Sequence, residues 1–234
     1  MLFSVRGVLV DLDGTLVDST GAIVRSWVRF AGEYGIGVPE LVAARGHGRR
    51  SQDVIADLVA PPRRSAAFDR VHALELADLD DLTPVPGAAA LLAALPPSSW
   101  GIVTSGSRQL ATARLRAAGL GAHVDRLLVT GDDVDAGKPD PAPYLAGAAA
   151  LGLAPGDCLA VEDAAAGIAS AATAGMATLA VTITTPARDL PADAVVSDLT
   201  TVTVSVAGAG GRLVVEVDTS QLVRDPVEVP TDAR

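Results

Sequence analysis

Asp11 and Asp13 stand two residues apart at the end of the apolar run Val8–Val10, and Gly14 follows them. A short run of branched apolar residues reads as a strand covered on both faces, and a glycine behind it lets the chain turn sharply. The same pattern recurs further along. Thr104-Ser105-Gly106-Ser107 follows Trp100–Val103, and Glu162-Asp163 follows Cys158–Val161. An Asp-, Gly- and Pro-rich loop from Gly131 to Pro143, carrying Lys138, follows Arg126–Val129. In an open α/β sheet, ligands bind beyond the carboxyl ends of the strands, which is where all of these residues fall. An ordinary Asp-Gly turn is the alternative reading of the first stretch taken alone.

Parallel strands would turn Asp11 and Asp163 toward one point, with Glu162 beside them. Oxygen ligands of this kind suit Mg²⁺, which takes six oxygens, keeps several waters and often binds through one or two carboxylates plus a substrate phosphate. No His/Cys set has zinc spacing. Clustered carboxylates repel one another. A divalent ion and Lys138 would be needed to keep them ionised beside a phosphate monoester of about −1.5 to −2 charge.

The elements that must position these groups follow from hydrophobic spacing. Ser19 is placed to cap a helix running to about Tyr34, with Ile23, Trp27 and Phe30 on its core face and Gly35-Ile36-Gly37 as the stop. From Pro39 to Leu82 the pattern stays helical, which is the composition of an inserted cap. That segment holds a basic cluster, Arg45-Gly46-His47-Gly48-Arg49-Arg50-Ser51, which reads either as a ligand loop or as a solvated one. From Pro86 strands and helices alternate: helices over Ala88–Leu95, Arg108–Ala118 and Tyr144–Leu151, then short strands at Val181–Ile183 and Ala194–Val196. Alternation of this kind implies parallel pairing with right-handed crossovers. Val202, Val204 and Val206, the turn Ala207–Gly211, and Leu213–Val217 predict a terminal β-hairpin, read as an edge extension or an oligomer contact. Residues from about Asp225 onward read as a frayed tail. His72, His123 and Trp100 receive no functional role.

Composition bounds the function. The 234 residues suit an α/β domain of about 150 residues carrying a smaller insertion. With 49% hydrophobic residues but only 3% aromatic ones, packing must rest on Ala, Val and Leu. A net charge of −10 opposes non-specific binding to nucleic acid or anionic membrane, so any charge that binds an anion must be local. The single cysteine, Cys158, cannot form an internal disulfide and reads as a buried strand residue, compatible with a reducing cytoplasm. Arg6 interrupts the apolar N-terminus, which argues against a signal peptide. The uncharged stretch Ala164–Ile183 has the length of a membrane span, but its small and polar residues and Gly175 argue against one.

Asp11-Leu12-Asp13-Gly14-Thr15, Val103–Ser107, Gly137-Lys138-Pro139-Asp140-Pro141 and Val161–Asp163 with Ala164–Ile168 together resemble the four ordered motifs of the haloacid dehalogenase superfamily of phosphatases. The likeness covers roughly residues 5 to 200, and the helical segment between the first two motifs is similar to the small cap of the β-phosphoglucomutase-like branch. The resemblance implies an α/β Rossmann-like core with a parallel sheet in residues 1–17 and 84–200, a cap in 18–83, a hairpin in 201–224 and a tail in 225–234. It implies Asp11 as nucleophile, forming an aspartyl-phosphate, and Asp13 as acid and then base. Mg²⁺ would sit on Asp11, the Asp13 backbone carbonyl and Asp163, with Glu162 nearby or bound through water. Thr104, Ser105, Gly106 and Lys138 would hold the phosphoryl group. His47–Ser51 looks like the substrate loop of sugar- and polyol-phosphatases, with His47 and Arg50 as its reading residues. Ile23 falls where mutases of this branch carry a histidine, which favours hydrolysis over phosphoryl return. The expectation is a cytoplasmic Mg²⁺-dependent phosphatase, monomeric or weakly dimeric, acting on a hexose, deoxysugar or glycerol phosphate without nucleic-acid or membrane partners. A sugar phosphomutase, a phosphoglycolate phosphatase and a non-catalytic binding protein on the same fold are the alternatives.

Overall fold

The computed structural model describes residues 1–207 and 212–223. Along the chain come β1 (Leu2–Val5), β2 (Gly7–Val10), β3 (Val17–Asp18), and the helices α1 (Thr20–Tyr34), α2 (Val38–Arg45), α3 (Ser51–Leu58) and α4 (Arg64–Leu76). Next are β4 (Thr83–Pro84), α5 (Ala88–Ala94), β5 (Trp100–Val103), α6 (Arg108–Ala117), β6 (Leu127–Val129), α7 (Ala142–Leu151), β7 (Cys158–Glu162), α8 (Ala165–Thr173) and β8 (Ala177–Val181). β9 (Ala194–Val196), β10 (Val202–Ala207) and β11 (Arg212–Val217) complete the sheets.

Six strands form one parallel sheet in the order β6-β5-β2-β7-β8-β9. β2 is wholly buried, as its unbroken apolar run demands. Val8 and Val10 face a core shared with α5, α6 and the C-terminal strands, while Leu9 faces one shared with α7 and α8. The sheet is thus covered on both sides, and its carboxyl ends open toward α1–α4. These helices carry a core of their own around Trp27, Phe30, Val54, Ile55 and Val71. The chain leaves and re-enters the α/β body at a single place, where Val17 pairs with Pro84 and Asp18 with Thr83.

Two elements differ from the sequence reading. The strand expected at Val181–Ile183 is β8, which starts at Ala177. Pairing of Leu159 with Ala177 through Glu162 with Ala180 sets its start, and it ends at Val181. The hairpin forms, but not as an appendage. β11 is the middle strand of an antiparallel sheet, paired with β10 on one side and β1 on the other. Leu213, Val215 and Val217 alternate into the main core. The hairpin turn Gly208–Gly211 and the predicted tail lie outside the described residues. No helix among the described residues is long and apolar enough to cross a membrane.

Candidate active site

β5, β2 and β7 are adjacent, so the residues at their carboxyl ends converge. Lys138, on the loop after β6, points into them: its Nζ donates to Asp11 Oδ1 at 2.6 Å, to Glu162 Oε1 at 2.6 Å and to the Val103 carbonyl at 3.0 Å. Tyr144, near the start of α7, donates its hydroxyl to the same Glu162 Oε1 at 2.7 Å. Asp163 accepts from Thr15 Oγ1 at 3.4 Å and, through its other oxygen, from Thr184 Oγ1. Asp11, Lys138, Glu162 and Asp163 are all buried. Backbone shape makes room for them. Gly14 sits at φ +84°, and a side chain there would run into Asp163; a Cβ on Gly167 would collide with the Glu162 carboxylate.

Asp11, Glu162 and Asp163 place one carboxylate oxygen each within 4.8 Å of the others. Burial, against the opposing pull of Lys138, raises the Asp11 carboxyl to about 7, and burial raises Asp163 well above the carboxylate range. Burial pushes Lys138 down, but the facing carboxylates of Asp11 and Glu162 more than offset it and the net shift is upward. Ionised together, the three buried carboxylates would outweigh the one buried ammonium, and a divalent cation would balance the excess. The donor set, all oxygen and without His or Cys, fits a hard metal ion.

Asp13 faces the same pocket from the turn after β2. Ser19 was expected to cap α1, but it makes no side-chain cap bond. Its hydroxyl donates instead to Asp13 Oδ1 at 2.7 Å, and Arg114 Nη1 donates to Asp13 Oδ2 at 2.8 Å. Thr104 accepts from the Gly106 amide at 3.1 Å, and Ser105 Oγ donates to the Gly48 carbonyl at 2.6 Å, tying the loop after β5 to the helical half. Thr104, Ser105, Gly106 and His47 all line the pocket.

Arg50 does not line it. Its guanidinium is buried, paired with Asp53 and donating to the carbonyls of Val134 at 2.7 Å and Asp135 at 2.9 Å. Adjacent glycines and arginines in the loop do not reveal which arginine turns inward. Arg50 stands just before α3 and clamps that helix to the loop after β6, while Arg49 lines the pocket. Ile23 and Trp27, expected to be core, also form part of the pocket wall.

Sequence reasoning missed Glu75, Arg114 and Thr184, which line the pocket as well. A signal existed for two of them. Arg114 falls in the buried stripe Leu110, Ala111, Leu115 of α6, and Glu75 in the stripe Ala67, Val71, Leu74 of α4. Charges on apolar helix faces require partners, and these two pair with each other at 3.1 Å.

Residues 5–175 match the family model of the haloacid dehalogenase-like hydrolases. The chain belongs to this family. It is 42% identical over 75% of its length to hexitol phosphatase A of Escherichia coli, covering 82% of that protein. It is 33% identical to 2-deoxyglucose-6-phosphate phosphatase 2 of Saccharomyces cerevisiae, over 95% of this chain and 99% of that one. Among solved structures, a hydrolase from Pseudomonas syringae superposes with a TM-score of 0.76 at 25% identity, over 83% of this chain and 94% of that chain. Within the family, the chain is a phosphoric monoester hydrolase.

Proposed function

We propose that the chain is a Mg²⁺-dependent phosphatase that hydrolyses a small phosphorylated sugar or polyol through an aspartyl-phosphate on Asp11. The observation that carries this reading is the meeting of Asp11, Lys138, Glu162 and Asp163 in one buried hydrogen-bonded cluster, with Asp13 facing the same pocket. Its relatives named for hexitol and 2-deoxyglucose-6-phosphate point to the substrate class.

In this mechanism the Asp11 carboxylate attacks phosphorus, the bond from phosphorus to the substrate oxygen breaks, and the Asp13 carboxyl delivers a proton to the departing alkoxide. Water then attacks the acyl phosphate as Asp13 takes the proton back, releasing phosphate and restoring Asp11. Ser19 and Arg114 orient Asp13 for both steps. Lys138, Thr104 and the Ser105 amide hold the phosphoryl oxygens and offset charge in the transition state. Asp11, Asp163 and the Asp13 carbonyl would hold Mg²⁺, which when bound neutralises phosphoryl charge. Glu162, which accepts from Lys138, Tyr144 and the Asp163 amide, positions Lys138 and would stand beside the metal. Ile23 on the pocket wall offers no imidazole to return the phosphoryl group, which supports hydrolysis over mutase chemistry.

Residues 18–83 act as the cap that closes over the substrate. Cytoplasmic residence, suited to the free buried thiol of Cys158, and a monomeric or weakly dimeric state belong to the same reading. The test is phosphate release from a panel of sugar and polyol monophosphates with Mg²⁺ or EDTA. Turnover should require Mg²⁺ and fall about 10⁴-fold or more in Asp11→Asn. Equal turnover by Asp11→Asn overturns the mechanism.

A further inference from the structure

Glu75 and Arg114 belong to none of the motifs that carry the chemistry, yet both are buried, at 5% and 3% exposure, in the wall of the active-site pocket. Arg114, from α6, donates through Nη1 to Asp13 and through Nη2 to Glu75, from α4. Its buried Nε has no partner among the described residues. One guanidinium therefore joins the residue placed as acid and base to a carboxylate contributed by the helical half. For packing alone such a triad is poor value, because apolar side chains of similar volume would stabilise the same place at least as well. Both residues line the pocket and meet whatever enters it.

The charges restrict what that is. The Arg114 guanidinium is shared between two carboxylates. Arg49, the other arginine lining the pocket, donates to Asp57 at 2.9 Å and to the Ala44 carbonyl at 2.5 Å. Both arginines are thus already paired with carboxylates of the protein. Glu75 Oε1 is taken by Arg114, and Oε2 has no partner among the described residues. A carboxylate held in this way accepts hydrogen bonds from hydroxyls and repels a carboxylate or a second phosphate. Ile23, Trp27, Val54 and Leu110 give the same pocket apolar wall, suited to the carbon chain that bears those hydroxyls.

We propose that Glu75, held in place by Arg114, reads a hydroxyl of the departing alcohol, so that the enzyme selects phosphate monoesters of neutral polyols and sugars and rejects those whose alcohol carries a second anionic group. This rests on the phosphatase reading and narrows its substrate class. Glu75 is the specificity residue and Arg114 the positioning residue.

Sorbitol 6-phosphate and 6-phosphogluconate form a matched pair, alike in carbon skeleton and differing in the carboxylate at the far end; ethyl phosphate carries no hydroxyl. The wild type should prefer sorbitol 6-phosphate over 6-phosphogluconate in kcat/KM by about 100-fold or more. In Glu75→Gln, which keeps shape and removes charge, the ratio of sorbitol 6-phosphate to ethyl phosphate should fall about tenfold, mainly through KM, and the ratio to 6-phosphogluconate should fall with it. Arg114→Met should move both ratios the same way, and Arg114→Lys should recover part of the loss. Unchanged ratios in Glu75→Gln, or a wild type that prefers 6-phosphogluconate, overturn the proposal. Should the wild type release phosphate from none of these, the phosphatase reading fails, and calorimetric binding of sorbitol 6-phosphate with Mg²⁺ present decides the subsite separately. Binding about tenfold weaker in Glu75→Gln supports it, and equal or absent binding overturns it.

Discussion

The two ends of the pocket are built in different ways. At the end proposed to hold the phosphate, Asp11, Thr104, Glu162 and Asp163 come from the carboxyl ends of three adjacent strands, and Lys138 comes from the loop after a fourth. Neighbouring strands lie about 4.8 Å apart, so groups at their ends fall within hydrogen-bond reach with little help from anything else. At the end proposed to hold the alcohol, Ile23, Trp27, Arg49 and Glu75 come from the helical half, and Arg114 comes from α6. That end exists only when the two halves are docked, through Ser105 to Gly48, Arg50 to Val134 and Asp135, and Arg114 to Glu75. A rigid end suits chemistry that must not change. An assembled end can vary with the alcohol while the reaction stays the same.

The largest expected effect is at the rigid end. Lys138→Met leaves the buried carboxylates of Asp11 and Glu162 without their cation, and urea unfolding of the metal-free protein should show a loss of about 3–5 kcal/mol. A loss under about 1 kcal/mol would mean that this end is not held by its charges.

The metal-free protein should also respond to pH there. Burial pushes the folded Asp11 carboxyl up to about 7 from an ordinary value of 3.8, and raises Asp163 too. The folded chain therefore keeps protons that the unfolded chain has lost. The stability these groups contribute is full below the ordinary value and disappears as pH climbs from there through about 7. In EDTA, Tm should fall by about 5 °C between pH 5 and pH 8, and Mg²⁺ or Asp11→Asn should flatten the slope. A flat profile in EDTA would contradict the buried-carboxylate account.

At the assembled end the effect is smaller. Arg50→Met frees the Val134 and Asp135 carbonyls and should cost about 1–3 kcal/mol. Amide exchange should rise where α3 meets the loop after β6. A loss as large as that of Lys138→Met would erase the contrast between the two ends.

How far each end can be read from the chain follows the same division. Asp11, Asp13, Lys138, Glu162 and Asp163 are visible because short apolar runs stop abruptly at polar residues, and a parallel sheet leaves those stops only one place to meet. Glu75 and Arg114 are 39 residues apart in the chain. Each falls on an apolar helix face, but only packing decides that the two meet. Arg49 and Arg50 are neighbours in sequence, and only the docking of α3 against the loop after β6 sends one into the pocket and the other into a clamp.

By itself, the order of residues determined the α/β alternation, the strand ends and the oxygen-rich chemistry gathered at them, since these follow from period, turn residues and charge within short windows. Tertiary structure alone decided that β11 lies between β1 and β10, that the Ser19 hydroxyl serves Asp13 rather than its helix, and that a glutamate of α4 meets an arginine of α6. Those outcomes depend on which distant surfaces are brought into contact, and the free energy of burying them together outweighs local preference.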